Sequence, residues 1–335
     1  MYGNNGKERV KNMMTKEEFA NEMRDRIEKE MGEGYEVSVL KVAKNNGVEM
    51  TGICVKNEET NISPTLYVDQ FYEDLQHGRE MDELLDKAAF SIKTGMPGKN
   101  FDVDFFRDYD RVKDKICYRL VNADENAEML RKVPHERFLD LAVEYYCPVD
   151  DPAIGKGSIL ITNDHLKLWG VTQEDIKEAA EKNTPGINPA RCYSMENMLG
   201  AMMGFEEERD TDELPEDLSD QEGYGSMHIL TNRDKTFGAG VMLYGDFMQR
   251  ISEAAGSDLF VIPSSIHEII ILPKTGDSDA GHLREIIQEV NGNSVSKQEF
   301  LSNNLYLYDG ATQKISIYEG ITQNMGSGSG MELSM

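Results

Sequence analysis

Apolar residues recur at helical spacing near the start of the chain. Thr15 and Glu18 have the spacing of a capping box, in which each side chain binds a backbone amide of the first turn. Gly32 is typical of a helix C-terminus. One apolar stripe at every fourth position completes the pattern of an amphipathic helix: Phe19, Met23, Ile27 and Met31.

Alternation of apolar and polar residues follows. Val37–Ala43 and Val48–Lys56 flank Asn46-Gly47, a strong hairpin signal. The same reasoning predicts further strands at Thr65–Val68, Ile116–Val121, Phe138–Tyr146, Ser158–Thr162, Met227–Thr231, Ala239–Tyr244, Asp258–Ile262, Glu268–Leu272, Leu305–Tyr308 and Lys314–Tyr318. It predicts further helices at Asp69–His77, Glu80–Lys93, Val103–Tyr109, Asn122–Leu130, Asn163–Gly170, Thr172–Asn183, Asp246–Ala255 and Ala280–Val290.

The order of these elements indicates the fold class. From Met227 onward, two strands, a helix, two strands and a helix form a ββαββα sequence. This order does not fit a doubly wound parallel sheet, in which strands and helices alternate. We therefore expect an α+β protein with mixed or mostly antiparallel sheets and flanking helices.

The composition predicts a division into subdomains. The chain has 335 residues, enough for about two domains. Glu206–Glu222 carries ten acidic residues against Arg209 alone, a composition that favours an exposed linker. The expected regions are an N-terminal α+β region (15–204), an acidic linker (205–222), a C-terminal region (223–320) and a Gly/Ser-rich disordered tail (321–335).

Charge narrows the classes of partner. The formal net charge is −26, which repels nucleic-acid phosphates and anionic membrane surfaces. We expect no direct binding to nucleic acid or membrane, and any macromolecular partner is expected to be a basic protein. The oligomeric state is left open.

The cysteines and the N-terminus point to the cytoplasm. Cys54, Cys117, Cys147 and Cys192 form no CxxC pair, so they predict neither a metal site nor a small disulfide framework. The first 14 residues hold no apolar leader core, and no apolar run approaches membrane-spanning length. We expect a cytoplasmic protein with no cofactor and no bound metal.

Two places carry residues suited to catalysis. His165 follows Asp164 near a helix start, although adjacent helical side chains point in different directions. The Pro-Ser-Ser-Ile-His-Glu stretch places Ser265, His267 and Glu268 in a turn before a strand, where a rigid sheet positions loop residues. The alternative interpretation is structural: an exposed histidine in the first place, and serine hydroxyls that bind backbone amides in the second.

Five stretches resemble a bacterial family of unknown function, the domain-of-unknown-function family 5688. They are Asn61–Tyr67, His165–Gly170, Leu230–Arg233 with Gly238–Tyr244, Ile262–Glu268, and Leu301–Asp309. The resemblance covers about residues 15–318 and implies a cytosolic bacterial setting. It implies no reaction, cofactor or catalytic residue.

Three functional hypotheses follow. The first is a non-enzymatic interaction or regulatory protein, supported by the acidic surface and the acidic linker. The second is a hydrolase-like enzyme for a small substrate, which requires His267, Glu268, Ser265 and His165 to meet in space. The third is an acidic mimic of nucleic acid that binds a basic protein, which requires carboxylates along one face.

Overall fold

A computed structural model describes residues 14–97, 100–152, 155–195, 218, 227–274 and 280–319. The α-helices in these residues are α1 (Lys16–Met31), α2 (Asp69–Gln76), α3 (Met81–Gly95), α4 (Tyr109–Val112), α5 (Ala127–Leu130), α6 (Asn163–Trp169), α7 (Gln173–Ile187), α8 (Gly245–Ala255) and α9 (Ala280–Asn293). Short 3-10 helices add Asn45–Gly47, Val103–Arg107, Lys113–Lys115 and Gly238–Leu243.

The strands form three mostly antiparallel sheets, which confirms the α+β fold class. They are β1 (Tyr35–Ala43), β2 (Glu49–Asn57), β3 (Thr65–Tyr67), β4 (Cys117–Asn122), β5 (His135–Phe138), β6 (Leu141–Asp151), β7 (Gly155–Leu160), β8 (Ala190–Ser194), β9 (His228–Asn232), β10 (Leu259–Ile262), β11 (Ile269–Pro273), β12 (Tyr306–Asp309) and β13 (Lys314–Ile317).

The chain folds as two compact units that are interleaved in sequence. Unit 1 comprises residues 1–116 and 146–176, and unit 2 comprises residues 117–145 and 177–335. The acidic linker predicted at residues 205–222 lies outside the described residues apart from Leu218, so that boundary stays a prediction. The tail at 321–335 lies outside them as well.

Unit 1 is built around helix α1 and the β1-β2-β3 sheet. The Thr15 capping box is present as predicted, with Thr15 and Glu18 each binding the other's backbone amide. β1 and β2 pair in the predicted hairpin, with Val39 opposite Ile53. The stripe of α1 is buried against α3 and the sheet, in a core that includes Phe19, Met23, Ile27, Ile53, Val55, Leu84, Ala88 and Ile92. Each of the larger side chains among them contributes about 1.5–3 kcal/mol when fully buried.

Unit 2 is built on a six-stranded sheet with the order β13-β12-β10-β11-β9-β8. Helix α9 packs on this sheet through Leu283 and Ile287, which contact a core that includes Phe260, Ile262 and Leu305. Strand β8, which the sequence analysis did not predict, pairs with β9 over Ala190–Ser194.

The β5–β6 turn of unit 2 is fixed by Asp140. Its carboxylate accepts hydrogen bonds from the Ser302 hydroxyl at 2.6 Å, from the Asn304 amide at 3.0 Å and from the Tyr306 hydroxyl. Burial and the neighbouring Asp140 carboxylate raise the pKa of Tyr306, which is fully buried. The contacts connect a turn near residue 140 to the loop before β12.

Two predicted strands are wrong in position or type. The run Ala239–Tyr244 belongs to the 3-10 helix Gly238–Leu243, and not to a strand. β9 pairs with β8 on one side and β11 on the other, so it has no free edge for a further strand. A fully buried apolar segment shows the same hydrophobic pattern whether it is a strand or a helix. The predicted strand Phe138–Tyr146 is interrupted at Leu139, whose φ of 56° turns the chain between β5 and β6.

Candidate functional site

The turn between β10 and β11 holds three of the predicted site residues. Its backbone is bound by the loop that precedes β12: the Ile266 amide donates to the Glu299 carbonyl at 2.8 Å, and the Leu301 amide donates to the Ser264 carbonyl at 2.9 Å. The Ser265 hydroxyl accepts the His267 amide at 3.0 Å. Ser265 therefore performs the structural role of a serine in a turn.

His267 is held by its own neighbours. Its Nδ1 accepts the Phe237 amide at 3.3 Å, and its ring lies parallel to the Phe237 ring with centroids 5.9 Å apart. Nε2 lies 3.9 Å from a Glu299 carboxylate oxygen. Because Nδ1 accepts a hydrogen bond, the neutral imidazole carries its proton on Nε2. The 3.9 Å from Nε2 to Glu299 is longer than a hydrogen bond.

A buried ion pair lies beneath the same stack. The Arg119 guanidinium lies 4.3 Å from the centroid of the Phe237 ring, and its Nε donates to the Glu144 carboxylate at 2.6 Å. The Glu144 side chain is fully buried, and its second oxygen has no hydrogen-bond partner among the described residues. Together with Thr231, whose hydroxyl donates to the His267 carbonyl at 2.8 Å, these residues form what we call the His267 cluster: Arg119, Glu144, Thr231, Phe237 and His267.

His165 has a structural role in unit 1. Its Nδ1 accepts the Thr162 amide at 3.0 Å, which completes a capping box at the start of α6. The ring contacts Phe106 edge-on, with centroids 4.9 Å apart, and stacks on Trp169 at 5.6 Å. Burial lowers the pKa of His165, and the opposing effect of Asp164 is smaller. Thr162, and not the predicted Asn163, is the N-cap residue.

The four predicted site residues thus fall in two units. Ser265, His267 and Glu268 share one turn of unit 2, and His165 belongs to unit 1. Glu268 is half-buried, with no hydrogen bond or ion pair to the described residues. The hydrolase hypothesis stays a prediction, because it requires a base and a nucleophile within hydrogen-bond reach of each other.

A concave feature of unit 2 lies elsewhere, in a cleft of about 810 Å³. This volume falls within the range of pockets that hold drug-sized ligands, about 300–1,000 Å³. The cleft is lined by Tyr118, Glu136, Arg137, Phe138, Val143, Tyr145, Lys177, Glu181, Pro185, Pro189, Ala190, Leu243, Tyr244, Gly245, Asp246, Phe247 and Arg250.

The floor of the cleft comes from strands β4 and β6. Val143 and Tyr145 alternate along β6, so both side chains lie on the same face of the sheet. Glu144, between them, lies on the opposite face with Arg119. Tyr118 on β4 meets Tyr244 edge-to-face, with centroids 6.1 Å apart. The cleft and the His267 cluster therefore use alternate residues of the same strands.

One wall of the cleft is the edge of a sheet. β5 pairs with β6 on one side, and the order β4-β6-β5 leaves its other side at the edge. Three consecutive residues of β5 line the cleft: Glu136, Arg137 and Phe138. Successive side chains of a strand point to opposite faces of the sheet. A cleft that contacts three consecutive residues therefore extends around the backbone edge of β5.

The remaining walls are helical. Lys177, Glu181 and Pro185 lie four residues apart on one face of α7. The first turns of α8 contribute Asp246 and Arg250.

The described residues neutralise only part of the charge of the cleft. Lys177 lies 3.1 Å from Glu136, and Arg137 lies 3.1 Å from Asp124. Glu181, Asp246 and Arg250 form no ion pair with any residue that the structure describes. All three side chains are exposed.

Sequence reasoning missed this cleft. Its residues come from seven separate elements, and no short motif connects them. The only local signal is the four-residue spacing of Lys177, Glu181 and Pro185, which is also typical of an ordinary exposed helix face.

The described residues lack both a metal-binding cluster and a membrane-spanning helix. No group of three or more His, Cys, Asp or Glu side chains among them is arranged to hold a metal ion. None of the helices in these ranges has the length and apolar character needed to cross a bilayer.

Comparisons with known proteins give a family and no activity. Searches of curated proteins and of solved structures find no match. One family model matches residues 16–310, which is most of the chain. Its description is a family of unknown function, DUF5688. The expected family is thereby confirmed: the chain belongs to DUF5688.

Proposed function

We propose that this protein is a non-enzymatic interaction protein of the bacterial cytosol, and that the cleft of unit 2 receives a polypeptide segment of a basic partner protein. The observation that supports this proposal is the strand edge in the cleft wall. Glu136, Arg137 and Phe138 bring a backbone edge to a cavity of about 810 Å³. Exposed sheet edges are common docking places for extended peptides.

The lining of the cleft suits a peptide that carries apolar side chains. Five of the residues that line it are aromatic: Tyr118, Phe138, Tyr145, Tyr244 and Phe247. Phe138 and Phe247 are half-buried, and the three tyrosines are buried. Such rings give large contact areas and dominate the energetics of many interfaces.

Charge supports a basic partner. The cations Lys177 and Arg137 are paired with Glu136 and Asp124. Three charged residues of the lining form no ion pair among the described residues: the carboxylates Glu181 and Asp246 and the cation Arg250. The net charge of −26 adds a long-range attraction for cationic partners.

A peptide selection tests the proposal directly. A random library of linear dodecapeptides displayed on phage is panned against the full-length chain. Enriched peptides are expected to contain Lys or Arg and at least one aromatic residue. Binding is expected to weaken as salt rises, because exposed charges are screened.

The matched variants decide where the peptides bind. The double substitution Glu181→Lys with Asp246→Lys is expected to weaken binding at least tenfold. Glu178→Lys changes an exposed charge of the same helix that does not line the cleft, and it is expected to have a much smaller effect. Failure to enrich any peptide, or equal loss in both variants, would contradict the proposal.

A further inference from the structure

We infer that the bound segment adds to the β4-β6-β5 sheet as a new strand along the free edge of β5, with aromatic or other apolar side chains at every second position. This inference rests on the proposed function and specifies its binding mode. It makes backbone hydrogen bonds the source of affinity and the cleft floor the source of specificity.

The register of the hairpin shows which backbone groups are available. β5 and β6 are joined by Leu139 and Asp140 alone, and Phe138 pairs with Leu141 beside this two-residue turn. In such a hairpin the pair next to the turn exchanges hydrogen bonds, and the next pair does not. Arg137, which pairs with Ala142, therefore directs its N–H and C=O away from β6 and toward the edge.

No described residue occupies those groups. The Arg137 side chain turns back, with Nε donating to the Leu139 carbonyl at 2.8 Å and the guanidinium binding Asp124. Neither contact uses the Arg137 backbone. With respect to the residues that the structure describes, the edge of β5 at Arg137 is thus open to a strand that enters the cleft.

The face of the sheet determines the side-chain pattern. Glu136 pairs with Val143, so their side chains share a face with Tyr145, which lines the floor. A strand added beside Arg137 directs alternate side chains onto this face and the others away from it. Apolar residues at positions i and i+2 therefore lie over this face, where Phe138 and Val143 are half-buried.

Basic residues at the ends of the segment suit the helical walls. Glu181 on α7 and Asp246 on α8 carry the carboxylates without ion pairs among the residues described. With four residues in β5, the added strand needs only three or four paired residues, about 13 Å of chain. A heptapeptide with terminal lysines covers this length.

The first test alters the peptide backbone. The probe is the fluorescein-labelled peptide Lys-Thr-Phe-Thr-Phe-Thr-Lys, with aromatic residues at alternate positions, measured by fluorescence anisotropy with the full-length protein. N-methylation removes one amide donor at a time. Methylation of amides that face β5 is expected to weaken binding at least fivefold, on the scale of one backbone hydrogen bond. Methylation of the intervening amides is expected to change it less than twofold.

The second test compares two variants of the protein that differ in one backbone N–H group. Arg137→Pro and Arg137→Ala both remove the side chain, but only proline removes the backbone N–H. Because this N–H faces away from β6, proline costs no bond of the hairpin ladder. Arg137→Pro is expected to bind the probe at least fivefold more weakly than Arg137→Ala does. The two variants are expected to have equal thermal unfolding midpoints.

The outcomes separate this inference from the proposed function. A flat N-methylation scan, equal binding by the two Arg137 variants, or no binding of the probe would overturn strand addition, while peptides enriched from the library would still support the cleft as a docking site. Concentration-dependent dimerisation that Arg137→Pro abolishes would also overturn it, because a second copy would then occupy the edge.

Discussion

The His267 cluster and the cleft lie on opposite faces of the same strands, and they treat polar groups in opposite ways. In the cluster, Arg119 binds Glu144, the Phe237 amide binds His267, and the Thr231 hydroxyl binds the His267 carbonyl. In the cleft, the described residues leave Glu181 and Arg250 without an ion pair, and the Arg137 backbone faces the edge.

Under the proposed function, the difference favours the cleft face for recognition. Polar groups that the protein satisfies itself contribute to stability, since a buried group without a partner costs free energy. Polar groups that bind solvent can exchange their water partners for groups of a ligand, at little cost to the stability of the fold. We expect substitutions in the cluster to reduce stability and substitutions in the cleft to leave it nearly unchanged.

The largest effect is expected for Arg119→Ala. This substitution leaves the Glu144 carboxylate fully buried without its only described partner. Removal of one partner of a buried pair costs about 3–5 kcal/mol. Urea unfolding followed by circular dichroism measures the loss.

Lys177→Met is the matched control in the cleft. Lys177 and Glu136 form an ion pair of similar length, 3.1 Å, but their side chains are 28% and 33% exposed. Pairs that water reaches contribute at most about 1 kcal/mol. Equal losses in the two variants would contradict the distinction between the two faces.

A second pair of substitutions compares glycines. A Cβ on Gly238 would overlap the Thr231 hydroxyl and the His267 carbonyl, the second of which is backbone. We expect Gly238→Ala to cost about 2–3 kcal/mol, as for overpacking of a core. Gly245 in the cleft has no atom within 4 Å of the same position.

Gly245→Ala is therefore expected to be neutral or slightly stabilising in thermal unfolding, because alanine favours the helix that begins there. If Gly238→Ala melted with the wild type, the close packing of the cluster would be disproved.

The sequence predicts most of the fold because local patterns determine most elements. The capping box at Thr15 and the Asn46-Gly47 hairpin are confirmed, since each depends on residues close in sequence. The prediction of a strand at Ala239–Tyr244 is wrong, because a buried apolar run lacks the periodicity that distinguishes a strand from a helix. β8 was not predicted because Ala190–Ser194 is short and includes Arg191 and Ser194, so it shows no continuous apolar run.

The candidate site was harder to predict for a related reason. Ser265, His267 and Glu268 attract attention because their side chains are chemically versatile, and the structure gives the first two of them turn and packing contacts. The β5 edge depends on strand order, which no local pattern reports. Backbone groups that form a site leave no signature in residue type.

The third prediction concerns His267 itself. His267→Ala removes the acceptor of the Phe237 amide and the stacked ring, and we expect a loss of about 1–2 kcal/mol. His267→Asn retains an oxygen that accepts this amide, so it is expected to recover about half of the loss. An Asn variant no better than Ala would show that the hydrogen bond contributes little.

The smallest effect is expected for His165 and depends on pH. Burial lowers its pKa below the ordinary value of 6.5 in the folded protein. The unfolded chain then binds more protons in the window just below pH 6.5, so this histidine's contribution to stability is complete above that pH. The contribution is lost as pH falls through the folded pKa.

His165→Gln keeps an acceptor for the Thr162 amide but does not titrate. The free energy of unfolding, measured by urea denaturation at pH 7.5 and pH 5.5, is expected to fall more for the wild type than for His165→Gln. Parallel pH profiles would show that burial of this imidazole in unit 1 has no energetic consequence.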